Sequence, residues 1–423
     1  MSKVCFPYGK KELEIEIDDK NLKGILLSHL NEYTPEKTET ELVKEALENP
    51  VGSKKLSQLA EGKDNIVIIC SDHTRPVPSK IIIPLMLEEI RKGNPKADIT
   101  LLIATGFHRL TTKEELINKF GEDIVNNEKI IIHRSEVDED MVSLGSLPSG
   151  SELLINKIAT NADLLCAEGF IEPHFFAGFS GGRKSILPGV ASRITVMGNH
   201  CSEFIDSPYA RTGIIENNPI HKDMLWAAKT ANLAFICNVV INAEKKVVYA
   251  VSGDVEYAHL QGVDFLSKYC KVDSLKTDIA ISTNGGYPLD QNIYQSVKGI
   301  TAAESAVKDD GVIIMIASAS DGHGGQSFYD TFSSNKTLQE LYDEFMSRDA
   351  AHTIADQWES QILTRILLHH TVIYISDTDE ELIKNFRMIP AHSIEEALEK
   401  AREIKGEDAS ITAIPDGVSV MVV

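Results

Sequence analysis

NIVIICSDHTRPVPSKIIIPLMLEEIRKGNPKADITLLIA, residues 65–104, holds the pattern from which the fold is read. Asn65 to Ser71 is short, apolar and β-branched, as a strand buried on both faces must be, and it stops at the polar cluster SDHTRPVP. Two prolines close that loop before a helix through IIIPLMLEEIRKG, and Asp98 to Ala104 then repeats the strand. The loop TGFHRL follows, then a helix opened by Thr111 with Glu114 completing a capping box, then the strand KIIIH. A third buried run, ADLLCAEG, leads to His174. Strand, polar loop and helix in alternation predict a mostly parallel sheet flanked by helices, with ligands gathered beyond the carboxyl ends of the strands. Asp72, His73 and Arg75 follow one strand, His108 the next and His174 the third, so reactive side chains converge on one edge.

Upstream, ELEIEI (Glu12 to Ile17) alternates as a half-buried strand does, and ETELVKEALEN is helical. Downstream, LAFICNVVIN and KKVVYAVSG form two strands joined by a short turn, followed by a helix to about Tyr269. The pattern restarts at TDIAIST (Thr277 to Thr283), with the loop NGGYPLDQN and a helix bearing Tyr294, Gln295 and Lys298. GVIIMIA with SASDGHGG, and TVIYIS with DTDEE, are further strand-and-loop units; a capped helix starts at Ser393, and ITAIP, Asp416–Gly417 and VSVMVV read as a hairpin. The expectation is an α/β protein of two domains, residues 1–270 and 271–423, with mostly parallel sheets flanked by helices and an active site in the cleft between them.

Among 423 residues, 63 acidic against 42 basic side chains give a formal charge of -21, which disfavours nucleic acid and anionic membranes as partners. No run reaches the 18 or so apolar residues that a membrane span needs, so a cytoplasmic protein with a small-molecule partner is expected. The six cysteines lack a CxxC pair and read as core residues.

EGFIEPHFFAGFSGGRKSILPGVASRITVMGNH, residues 168–200, is the densest stretch of potential chemistry. Glycine-rich backbone admits an anion, lysine holds a phosphate or forms a covalent bond, and histidine moves protons or binds metal. GFSGGRKS approaches the phosphate loop GxxxxGK[ST] but puts Arg183 where the second glycine belongs. Lys184 is then either a nucleophile or covalent anchor in a dry loop, or an ordinary surface lysine. His108 and His174, each beside aromatics, suit proton exchange at two faces of a stereocentre if they share a pocket, and are structural residues otherwise. His200 has no second histidine at metal-binding spacing; a metal there requires donors from elsewhere, the alternative being a helix-ending histidine. Arg75 is a candidate for a carboxylate or phosphate, Gln295 and Lys298 share a helix face, and Trp358 either caps the pocket or is simply buried.

Taken together, CSDHTRPVPS, ATGFH, NKIA, EGFIEPHFFAGFSGGRKS, HKDM, ISTNGGYPLDQNIYQSVKG, DGHGG, DQW and IPDG give the chain a resemblance, over nearly its whole length, to the nickel-dependent lactate racemases. The resemblance implies an isomerase that interconverts L- and D-lactate by hydride transfer through pyruvate. Its cofactors would be nickel and a pyridinium-3-thioamide-5-thiocarboxylic acid mononucleotide, made by separate cofactor-synthesis proteins. By that resemblance Lys184 carries the covalent link and His200 is the protein ligand to nickel, two sulfurs and a carbon completing the four-coordinate, roughly planar field that Ni(II) favours. His108 and His174 become the acid/base pair, while Asp72, His73, Thr74 and Arg75 contact the cofactor. Arg75, Tyr294, Gln295, Lys298 and Trp358 line the substrate side. The alternatives are a racemase or epimerase of another 2-hydroxy acid with the same cofactor, and a nickel or nucleotide carrier.

Overall fold

The computed structural model describes residues 1–423 as two six-stranded sheets, each covered on both faces. In the first, the strands run in the order Val247–Gly253, Leu233–Ile241, Leu164–Phe170, Asn65–Ser71, Asp98–Ala104, Lys129–Ile132. All neighbours are parallel except the first two, the expected antiparallel pair. Ile66 to Cys70 are each at most 1% exposed, which is why this run lacks the alternation of a one-sided strand.

From Asn65–Ser71 the chain steps outward through Asp98–Ala104 to Lys129–Ile132, then returns to place Leu164–Phe170 on the other side. The order therefore reverses between Asn65–Ser71 and Leu164–Phe170, opening a crevice beyond their carboxyl ends. One face of this sheet packs on the helices Glu39–Glu48, Ser79–Gly93 and Lys113–Phe120. The other packs on Pro219–Thr230 and Tyr257–Cys270 within a 66-residue apolar cluster that runs on without a break into the second sheet's helices, through Ile300, Phe328 and Ile362.

The second sheet is parallel throughout, in the order Ile389–Ala391, Thr371–Ile375, Val307–Ile316, Thr277–Thr283, Ile411–Ile414, Leu22–Ile25. Its last strand comes from the start of the chain, which differs from the expectation that residues 1–270 form one unit. The hairpin Ser2–Tyr8/Lys11–Ile17 packs there too, burying Phe6, Ile15 and Ile17 against Ile281, Ile314 and Ile411. The expected carboxyl-terminal hairpin does not form: Ile411–Ile414 joins the sheet, and Met421–Val422 pairs in parallel with Lys271–Val272. The capping box of Lys113–Phe120 lies one residue later than read, with Thr112 and Glu115, because Glu115 is the side chain that reaches back to the Thr112 amide. No helix is long and apolar enough to cross a membrane.

Candidate active site

A cavity of about 490 Å³ opens between the two sheets at their carboxyl edges. Asp72 and Arg75 reach it from the loop after Asn65–Ser71, and His108 from the loop after Asp98–Ala104. His174 comes from the first arm of a two-residue ladder, Pro173–His174 against Gly178–Phe179, that follows Leu164–Phe170. Lys184 lies in the single turn Gly182–Ser185, and His200 caps the helix Arg193–Asn199. Tyr294, Gln295 and Lys298 descend from the helix Ile293–Ala306, and Trp358 from Gln357–His369.

His108 and Asp72 form a dyad, with Nδ1 2.7 Å from Oδ2. Asp72 is 1% exposed. Burial alone would raise its carboxyl, but the hydrogen bond and charge of His108, the Thr74 hydroxyl and the charge of Arg75 hold it below the usual carboxylate range. A carboxylate can only accept, so His108 carries its proton on Nδ1 and leaves Nε2 as a free acceptor. His174 has the opposite arrangement. Its Nδ1 accepts from the Ala177 amide at 3.4 Å, so the neutral ring keeps its hydrogen on Nε2. Burial, then Lys184, Lys298, Arg75 and His200, push its basicity well down and keep it neutral in the ligand-free chain.

Lys184 Nζ has no hydrogen bond or carboxylate partner and sits 5.8 Å from the Phe176 ring centre. Desolvation first, then the charges of Arg183 and Arg75, push its ammonium well below the ordinary lysine value, favouring a free amine. His200 is held edge-on between Phe176 and Trp358, at 5.0 and 5.1 Å between ring centres. Neither ring nitrogen makes a hydrogen bond, and Nδ1 is wholly buried; desolvation pushes the imidazole down to about 3. On the opposite wall Lys298 Nζ donates to Gln295 Oε1 at 2.7 Å. Trp358 Nε1 donates to the Tyr294 hydroxyl, which donates to Asp356, both at 3.2 Å.

The loop beneath Lys184 requires its glycines. Gly181 has φ +79°, and a Cβ there would lie 2.7 Å from the Phe170 carbonyl; Gly182 has φ +52°, with the His259 ring 2.8 Å from such an atom. Arg183, fully buried, turns away from the cavity into the protein.

Two expected cofactor contacts lie outside the cavity wall. His73 faces a neighbouring surface hollow, with Nδ1 3.0 Å from the Thr111 hydroxyl and Nε2 3.9 Å from Glu115, because adjacent residues of the loop project to opposite sides. Thr74 stands behind Asp72, donating to Oδ1 at 2.7 Å. Three acidic residues not picked out in the sequence do line the cavity: Glu168, Asp356 and Glu359. Glu168 Oε1 accepts from the Ser71 amide, the Ser71 hydroxyl and the Ser79 hydroxyl, tying the strand end to the start of the next helix. Glu359 is 1% exposed, and desolvation outweighs the pull of Lys298 to push it up to about 8. An acid in a strand as apolar as LLCAEGF was a readable signal for Glu168; nothing local marks Glu359.

Two mostly parallel sheets flanked by helices define an α/β protein whose cavity gathers an acceptor imidazole, a donor imidazole and the basic side chains Arg75, Lys184 and Lys298, an arrangement able to exchange protons with a small anion. Residues 8–213 match the family model described as lactate racemase N-terminal domain, and residues 272–422 that of lactate racemase C-terminal domain. The lactate racemase of Thermoanaerobacterium thermosaccharolyticum is 56% identical over 423 residues, covering 100% of this chain and 99% of that protein. The lactate racemase of Lactiplantibacillus plantarum is 54% identical, covering 100% of both chains. The solved apoprotein of the Thermoanaerobacterium enzyme superposes with a TM-score of 0.97 and 100% coverage of both chains. A solved Thermotoga maritima protein, 17% identical with a TM-score of 0.66 over 92% of this chain and 99% of its own, shares the fold. The chain belongs to the lactate racemase family and is therefore an isomerase.

Proposed function

We propose that the chain interconverts L- and D-lactate, using a nickel-bound pyridinium-3-thioamide-5-thiocarboxylic acid mononucleotide made by separate synthesis proteins and attached through Lys184. The residues fit such a group. Lys184 offers an unpartnered amine, and His200 offers an imidazole with no hydrogen bond on either nitrogen. No set of three or more His, Cys, Asp or Glu side chains has metal-binding geometry, so a metal held at His200 would need further donors, such as those of an organic ligand. When bound, the nucleotide supplies an acceptor for the Cα hydrogen with its electron pair, so the substrate passes through the level of pyruvate.

The remaining chemistry belongs to the chain. The Cα–H of lactate is far too weak an acid for imidazole, whereas the hydroxyl proton becomes available as the carbon is oxidised. His108 Nε2, made the acceptor by Asp72, takes that proton. A different proton must be delivered at the other face; His174 serves there from Nε2, once the substrate carboxylate offsets Lys184, Lys298 and Arg75 and its Nδ1 gives up the long Ala177 contact to take a proton, which leaves Nε2 as the acceptor after delivery. The roles exchange in the reverse direction. Arg75, without an ion-pair partner, and Lys298 hold the carboxylate while the ketone reorients, and Phe107, Phe176 and Trp358 keep water out. The observation that carries this reading is the pair of imidazoles on one cavity with opposite protonated nitrogens.

The test is to follow C2-deuterated L-lactate with the cofactor-loaded enzyme. D-lactate that retains most of its deuterium is expected; rapid loss to water indicates a carbanion and overturns the hydride route. Absence of D-lactate together with turnover of another 2-hydroxy acid overturns the substrate.

A further inference from the structure

Arg183 is the one feature of GFSGGRKS that the reading above leaves without a task. It is 0% exposed and no carboxylate pairs with it. Its guanidinium lies within hydrogen-bond distance of five groups, all of them neutral. Nε donates to His221 Nδ1 at 3.0 Å, and Nη2 to the Ala177 carbonyl at 2.8 Å. Nη1 lies 3.2 Å from the Gly181 carbonyl, 3.5 Å from the Ser180 carbonyl and 2.9 Å from His259 Nε2, which itself lies 2.9 Å from the Ser180 carbonyl. Three carbonyls of the segment 177–181 are thus gathered on one planar fork, fixed to two helices through His221 and His259. The Gly182 amide adds a bond to Asn238 Oδ1 at 2.7 Å. A phosphate loop uses its amides to hold an anion; here the carbonyls of the loop are held by the chain's own cation.

We propose that Arg183, caged by His221 and His259, is the positioning residue that holds Lys184 ready for covalent attachment of its ligand. Lysine is no substitute, since its three donors radiate from a point and cannot span three carbonyls and two imidazoles at once. Arg183 also comes second, after desolvation, among the influences that keep the Lys184 amine free. The inference rests on Lys184 being the attachment point, but its test does not need the nickel nucleotide.

The experiment labels the ligand-free chain with pyridoxal 5′-phosphate: the lysine amine adds to the aldehyde carbon, water leaves, and borohydride delivers hydride to the imine carbon. Peptide mass analysis then gives the rate at Lys184 relative to exposed Lys54. Arg183→Ala is expected to slow Lys184 by about tenfold or more while Lys54 is unchanged. Ethylguanidinium, occupying the vacated site, should restore much of the rate, which a general loss of folding would not allow. Arg183→Lys should show the same defect. A folded variant of either kind that labels Lys184 at the parent rate overturns the proposal. If neither variant folds, the unmutated chain decides: amides 178–184 must exchange slowly with deuterated water, and fast exchange there rejects the fork as a fixed support.

Discussion

Asp72 decides which nitrogen of His108 is basic. Replacing it by Asn leaves a side chain that can donate as well as accept, so Nδ1 is no longer obliged to carry the proton and the wrong tautomer becomes populated. Asp72→Asn is expected to lower kcat by about 10³-fold or more with a much smaller change in KM, measurable in steady-state racemisation. His108→Ala and His174→Ala should each abolish turnover in both directions, since in the proposed mechanism each direction uses one imidazole as base and the other as acid; a variant retaining one direction would break the pairing. Lys184→Ala, produced together with proteins that make the proposed nickel nucleotide, should lack that nucleotide's mass increment in intact-protein mass spectrometry, which the parent chain should carry. The nearness of Asp72 and His108 was implied by their following adjacent parallel strands. That His73 points elsewhere was not readable, because a loop's direction of turn is set by what packs around it, here Thr111 and Glu115.

At the scale of elements, strands buried on both faces declared themselves, since such sites are filled mostly by Val, Ile, Leu, Ala and Cys. Which strand pairs with which is not a local property. Leu22–Ile25 has only four residues in alternating burial, and nothing in LKGI names Ile411–Ile414, nearly four hundred positions away, as its partner. The same non-locality defeated the expected terminal hairpin: Ile414 and Met421 flank a turn, but Ile414 pairs with Ser282 and Met421 with Lys271. The opening hairpin also forms part of the second domain's core, with Phe6 0% exposed among Ile281, Ile314 and Ile373. Phe6→Ala should therefore destabilise the second sheet by about 3–5 kcal/mol, read as a lower denaturant midpoint for a probe in that domain. If residues 2–25 were an independent appendage, the midpoint would not move.

Across the whole molecule, one apolar cluster joins the two sheets, and several histidines lie buried and neutral within or beside it. Desolvation holds His133 down to about 4. His221 is held down to about 3 by desolvation and then Arg183, and His259 well below its usual value by the same two causes. In the unfolded chain each titrates near 6.5. Below that pH the unfolded state binds protons that the folded state refuses, so stability falls as pH falls, by up to about 1.4 kcal/mol per pH unit for each histidine. Asp72 adds to the trend at lower pH, since its depressed carboxyl contributes stability that is lost as pH drops through its folded value. Glu359 works the other way between its unfolded value and about 8, where the folded state holds the extra proton, and the raised carboxyls of Glu172, Asp223 and Asp356 act with it, but the lowered histidines, His174 and His200 among them, outnumber these groups. The chain is expected to lose stability steadily from pH 6.5 to pH 4.5, with the denaturant midpoint moving down at each step. A midpoint constant over that interval would mean that these histidines are already charged in the fold, and that the neutral cage around Arg183 is not as described.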